Sequence, residues 1–203
     1  MWPFEARCLY PSTGWPGKIP PGWVTPVMGV VVVIFWGLLY LAALPIDMAW
    51  VVLALAAMLW ARQMALDLGH QVLLNVYTYP LLLLAFLYHG LSGTAWAIPV
   101  TGAVLGWGGA TALAWGIARL RPGHSGLGGG DVKLLAALGA WVGPGLLLSV
   151  IGLGCLLSLL LSLRQPKADL PLGPGLIVAG WVLTLWPQAP QALFLFVQAA
   201  ISG

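Results

Sequence analysis

The sequence predicts an all-α polytopic membrane protein, a bundle of about six to seven transmembrane helices, each needing about 20 mostly apolar residues. Three observations carry that expectation. Of 203 residues, 61% are hydrophobic and only 6% charged, whereas a soluble domain carries roughly 25% charged residues. Apolar runs of spanning length recur along the chain, and its mean hydropathy is +0.97. The Lys and Arg residues gather at run ends that would share one side of a bilayer. No stretch is polar enough to coat a water-facing domain, so the net charge of +3 reports topology and not a nucleic-acid partner.

Residues 1–25 are rich in Pro, Gly and Trp and lack the apolar core and cleavage site of a signal peptide. They are read as a retained cytoplasmic tail ahead of a single transmembrane domain over residues 26–203. The first run, Val27 to Leu44, is closed by Pro45 and Asp47. A second runs from Met48 to about Leu66, with Arg62 and Gln63 near its end and Asp67 just beyond. The third covers Val72 to Leu91 and the fourth Ala95 to Ala118. A glycine-rich segment, Gly123 to Gly130, then forms the longest loop and leads into Asp131. A short fifth run, Val132 to Val142, stops at Gly143-Pro144-Gly145. The sixth covers Leu146 to Leu163 and the seventh Leu172 to Trp186, separated by a polar stretch from Arg164 to Asp169. An apolar tail, Ala192 to Ile201, is too short to count as a span.

Basic residues near span ends stay on the cytoplasmic side. With the amino terminus inside, Arg7, Lys18, Arg62, Arg119, Arg121, Lys133, Arg164 and Lys167 all fall in the cytoplasm. The opposite orientation places every one of them outside. Trp50, Trp60, Trp96, Trp115, Trp141 and Trp186 lie near run ends, where tryptophans favour the interface, and His89 is read as interfacial too. Cys8 and Cys155 form no CxxC pair, which leaves neither a disulfide framework nor a zinc ribbon; Cys155, in an apolar run, is expected in the core.

Acids are the scarce resource. Glu5 lies in the tail, Asp47 in the first external turn and Asp169 in a cytoplasmic loop, which leaves Asp67 and Asp131 at the cytoplasmic mouths of two spans. Ionisable groups at that depth are costly and mark functional sites. The plainer reading is structural: Asp131 as an N-cap after its glycines, Asp67 paired with Arg62. Two acids at one face point further, because paired carboxylates divide general-base and general-acid work: one activates a water, its protonated partner bonds the scissile carbonyl. Gly128, Gly129 and Gly130 would let an extended substrate strand pass close by.

Other chemistries fit less well. Gly123-His124-Ser125-Gly126 with Gly130 matches the rhomboid GxSGxxxG pattern, but no histidine follows His124 to act as base. There is no HExxH, and Asp67 with His70 supplies only two metal ligands. The glycines fail the P-loop pattern, since Lys133 lacks a Ser or Thr neighbour.

The stretch from Gly128-Gly129-Gly130-Asp131-Val132-Lys133 through Trp141-Val142-Gly143 is very similar to the GxGD region of bacterial type IV prepilin peptidases, also called type II secretion prepilin peptidases. Asp67 to Asn75, followed by Tyr79-Pro80-Leu81-Leu82, resembles the family's first aspartate region, and Pro171-Leu172-Gly173-Pro174 resembles its Pro-Phe-Gly-Pro. The resemblance implies a membrane aspartic endopeptidase that clips the short basic leader of prepilins or pseudopilins at the cytoplasmic face of the inner membrane. It places Asp67 and Asp131 as the catalytic pair, with Gly128, Gly130 and Lys133 in the surrounding motif and no metal.

Leu74 stands where the family usually has proline, and the large cytoplasmic loop with two CxxC pairs found in bifunctional members is missing. The resemblance is thus to a short, zinc-free form that needs no cofactor for cleavage. S-adenosylmethionine enters only if the family's amino-terminal methylation is retained. The expected partners are prepilin or pseudopilin substrates and the lipid bilayer. The competing class is a silent membrane scaffold or small transporter-like protein using the two acids as a proton or cation site.

Overall fold

The computed structural model describes residues 48–120, 127–164 and 172–191. Within them are six helices and no strand: α1 (Met48–His70), α2 (Asn75–Leu91), α3 (Ala97–Leu120), α4 (Gly129–Val142), α5 (Leu147–Arg164) and α6 (Leu172–Leu185). Each coincides with one of the apolar runs from the second to the seventh. The first run, residues 1–25, the loop at 121–126, the polar stretch at 165–171 and the apolar tail lie outside the described residues, and with them half of the basic residues that argue orientation. Two helices, at Met48–Leu68 and Ala97–Leu120, are long and apolar enough to cross a bilayer, and shorter apolar helices occupy Leu147–Leu161 and Leu172–Leu185.

The boundaries moved for local reasons. α1 continues one turn past Leu66 to His70 and carries Asp67 inside the helix. α4 begins at Gly129 and not at Val132, because Gly128 takes the extended N-cap conformation, with φ −67° and ψ 145°. Its far end is a stop: Gly143 has φ 75°, a region that favours glycine, and donates its N–H to the Gly139 carbonyl at 2.8 Å ahead of Pro144.

Glycines set how closely the helices approach. Gly102 and Gly106, one turn apart on α3, lie against the backbone of α4; a Cβ at the first would strike the Gly139 carbonyl, and at the second the Leu135 carbonyl. In hydrocarbon, helices associate through such close backbone contact because no apolar surface is removed from water when they meet. α5 and α6 pack likewise: a Cβ at Gly154 would press on Leu176, and one at Gly175 on the Ser158 hydroxyl. The buried Ser158 Oγ donates to the Leu172 carbonyl at 3.2 Å. These pairings, with the short connections, make neighbouring helices antiparallel. One end of the bundle therefore gathers the carboxyl end of α1 and the amino ends of α2, α4 and α6.

The core centres on indoles. Trp60 lies 5.0 Å from Trp141 and 4.7 Å from Trp181, ring centre to ring centre. Trp60 and Trp141 are both 2% exposed, which corrects their reading as interfacial tryptophans; Trp141 is accommodated because its N–H donates to the Leu81 carbonyl at 2.9 Å. His89 is also buried and not interfacial, its Nε2 lying 3.2 Å from the Trp141 carbonyl oxygen. Cys155, expected in the core, is exposed. Its neighbourhood is apolar because the outer face of the bundle is apolar: Val104, Leu105, Trp107 and Leu113 of α3 and Leu156, Leu159, Leu160 and Leu161 of α5 all point outward. An exposed surface of this kind suits lipid and not water.

The α3–α4 contact yields a test. Gly106→Ala is expected to lower stability by about 1–3 kcal/mol through overpacking, read as a lower melting temperature in detergent. Gly109→Ala, with open space around it, should hold or raise that temperature because alanine is the better helix former.

Candidate active site

Asp67 sits in the last turn of α1 and is only 6% exposed. It faces the first turn of α6, with its carboxyl group against Gly173. A Cβ at position 173 would overlap Asp67 Oδ2 and lie 2.9 Å from its Cγ, so only glycine lets the carboxyl group reach the helix end. Oδ2 has no hydrogen-bond partner among the described residues. The charge of Asp131 acts on Asp67 through space, so the fold brings the two acids named from sequence into one site.

Asp131 lies in the first turn of α4, half-buried, and is not the N-cap that its position after the glycines suggested; Gly128 is. Its carboxyl group turns back toward Gly128 at the helix start. A Cβ at Gly128 would lie 3.1 Å from Asp131 Oδ2. Gly130 corrects a second expectation. It is not a loop glycine held open for a substrate strand but part of the helix, and a Cβ there would lie 2.9 Å from Leu73 Cβ. Gly129, also helical, is exposed with nothing close to it.

Leu73 is the hinge of this arrangement, because the same side chain would lie 3.3 Å from a Cβ at Gly173. It belongs to the connection 71–74 between α1 and α2. That connection starts with Gln71 at φ 53°, left-handed without being glycine, its N–H bonded to the Asp67 carbonyl at 2.8 Å. It ends at Leu74, with φ −83° and ψ 130°, close to the φ of about −65° that a proline ring enforces; leucine at this N-cap therefore preserves the turn. Lys133, the motif's cation, donates from Nζ to Asn75 Oδ1 at 3.0 Å and lies 6.0 Å from the centre of the Tyr79 ring. One turn before Asp67, the fully buried Gln63 donates from Nε2 to Thr78 Oγ1 at 3.4 Å, and Thr78 donates to the Leu74 carbonyl at 3.2 Å.

Sequence reasoning had no contact for Gly173, Leu73, Asn75 or Gln63. Their joint signal was present only as two short segments flanking glycines, and nothing in one chain says which segments meet. Among the described residues, no three His, Cys, Asp or Glu side chains gather as metal ligands would; the His70 side chain lies outside the described residues.

Residues 53–163, more than half of the chain, match the type IV leader peptidase family. The chain belongs to that family. It is similar to the prepilin leader peptidase/N-methyltransferase of Aeromonas salmonicida, at 36% identity over 75% of this chain and 56% of that protein. The proteins of the same name from Stutzerimonas stutzeri and Aeromonas hydrophila are 36% and 38% identical, each over 64% of this chain and 47% of its own length. The chain thus spans about half the length of these curated relatives. No solved structure matches it.

The Leu73 contact can be tested without any substrate. Gly130→Ala should cost about 1–3 kcal/mol by pushing Leu73 off α4, seen as a lower melting temperature in detergent, whereas Gly129→Ala should cost nothing.

Proposed function

We propose that this protein is a membrane-embedded aspartic endopeptidase that removes the short basic leader of type IV prepilins or type II secretion pseudopilins at the cytoplasmic face of the inner membrane. The observation that carries it is that Asp67, where α1 ends, and Asp131, where α4 begins, lie near enough for their charges to interact, in a chain of the type IV leader peptidase family. The relatives' printed names include prepilin leader peptidase.

The chemistry follows from two carboxyl groups sharing one site. Two such groups do not both ionise freely, so the pair holds one proton over a range of pH. The ionised member takes a proton from water as that water attacks the scissile carbonyl carbon, while the protonated member bonds the carbonyl oxygen. The tetrahedral intermediate then collapses, and a proton from the pair passes to the leaving nitrogen. Either acid can hold the proton at the start; the cycle belongs to the pair.

Depth supports the substrate class. A prepilin has a basic leader followed by an apolar helix that lies in the membrane, so its scissile bond sits at the cytoplasmic boundary. With the cytoplasmic amino terminus and the six to seven spans read from the sequence, about 20 residues each, Asp67 and Asp131 reach the same depth. Gly128, exposed beside Asp131, leaves room there for substrate backbone. Cleavage needs no cofactor; S-adenosylmethionine enters only for the methyl transfer in the relatives' names.

Membranes containing the protein, incubated with a prepilin, should release the leader as a small mass loss. Asp67→Asn or Asp131→Asn should lower that rate by at least about a hundredfold, while Asp47→Asn and Asp169→Asn should cleave normally and a metal chelator should change nothing. Cleavage that survives either active-site substitution contradicts the proposal and favours a scaffold or ion-site role for the two acids.

A further inference from the structure

The GxGD segment carries a lysine that the hydrolytic pair does not use. Lys133 lies two residues after Asp131 and reaches across to α2, where its Nζ donates to Asn75 Oδ1 at 3.0 Å. Asn75 is the first residue of α2 and follows directly on the connection 71–74. That connection starts under strain: Gln71 holds φ 53° while bonded to the Asp67 carbonyl. A residue other than glycine is strained in this region, and such a conformation persists only where the surroundings over-determine it. α4 supplies part of those surroundings at two points, Leu73 against Gly130 and Asn75 against Lys133.

We infer that Lys133 and Asn75 form a polar clamp that fixes the 71–74 connection on the first turn of α4 and thereby sets the position of Asp67 relative to Asp131. Lys133 is a positioning residue in this account, acting through Asn75. The inference rests on the hydrolytic reading of the pair for its kinetic consequence but not for its geometry. The neighbouring Tyr79 ring, 6.0 Å from Nζ, leaves the ammonium group's orientation to the Asn75 oxygen, since a cation is drawn strongly to an aromatic face only inside about that distance.

A double-mutant cycle on prepilin cleavage tests it, with membrane levels matched by immunoblot. Asn75→Ala and Lys133→Met should each lower kcat about tenfold with KM within about twofold, the cost of misplaced but intact groups. The double variant should fall no further than either single one, because each substitution already opens the same clamp. Lys133→Gln, which keeps a donor for the Asn75 oxygen, should recover most of the loss. A rise in KM with kcat unchanged would mean that Lys133 contacts substrate, and multiplying losses would mean that the two residues act separately; either result overturns the clamp. A second readout needs no substrate. In a background lacking Cys8 and Cys155, cross-linking of an Asp67→Cys/Asp131→Cys variant by a short bifunctional thiol reagent should slow severalfold when Lys133→Met is added. An unchanged cross-linking rate refutes the clamp even if no prepilin is cut, and a slowed rate with no prepilin cut supports it while removing the proposed activity.

Discussion

A carboxyl group that must be buried at the end of a helix bundle, yet kept within reach of a second one, is the constraint from which the rest of this structure follows. Asp67 meets it by resting on the first turn of α6, where Gly173 leaves no side chain in the way. The orphan N–H groups at a helix start are ready donors for an acid. Reaching them requires that α1 end where α6 begins. The antiparallel order of α1 through α6 provides that meeting, and it places the starts of α2 and α4 at the same end.

Each close approach around the pair needs a missing side chain. Gly173 admits Asp67, Gly130 admits Leu73, and Gly128 leaves space beside Asp131. Farther from the site, Gly102, Gly106 and Gly139 draw α3 onto α4, and Gly154 and Gly175 draw α5 onto α6. The short, glycine-containing helices α4 and α6 thereby sit between longer neighbours. The indole cluster of Trp60, Trp141 and Trp181 fills the space behind them. Packing of this kind is stiff, because backbone contacts cannot be relieved by changing a rotamer.

Much of this was legible in the sequence. Six apolar runs became six helices, the stop at Gly143-Pro144 was where its residues implied, and Asp67 and Asp131 were separated from the other acids by depth alone. What stayed hidden depended on orientation about the helix axis. In a soluble protein, polarity tells the inside of a helix from the outside; in a lipid-facing bundle both sides are apolar, so Cys155 looked buried and turned out exposed, while Trp60 and Trp141 looked interfacial and turned out central. The glycines misled for a related reason: a run of three reads as a loop, and only the contact with Leu73 explains why α4 starts inside it. His89 followed the same pattern, its ring held by a backbone carbonyl that no sequence rule would pair with it.

The central claim is that Asp67 and Asp131 work as one coupled pair, and the pH dependence of kcat/KM for prepilin cleavage tests it most directly. One member must be ionised, so the rate should rise with pH through the pair's lower apparent pKa. The other must keep its proton, so the rate should fall again through the higher one. The wild-type protein, at constant membrane insertion, should give a bell with both limbs present. A profile with a single limb, or one flat across the range in which carboxyl groups titrate, would contradict it.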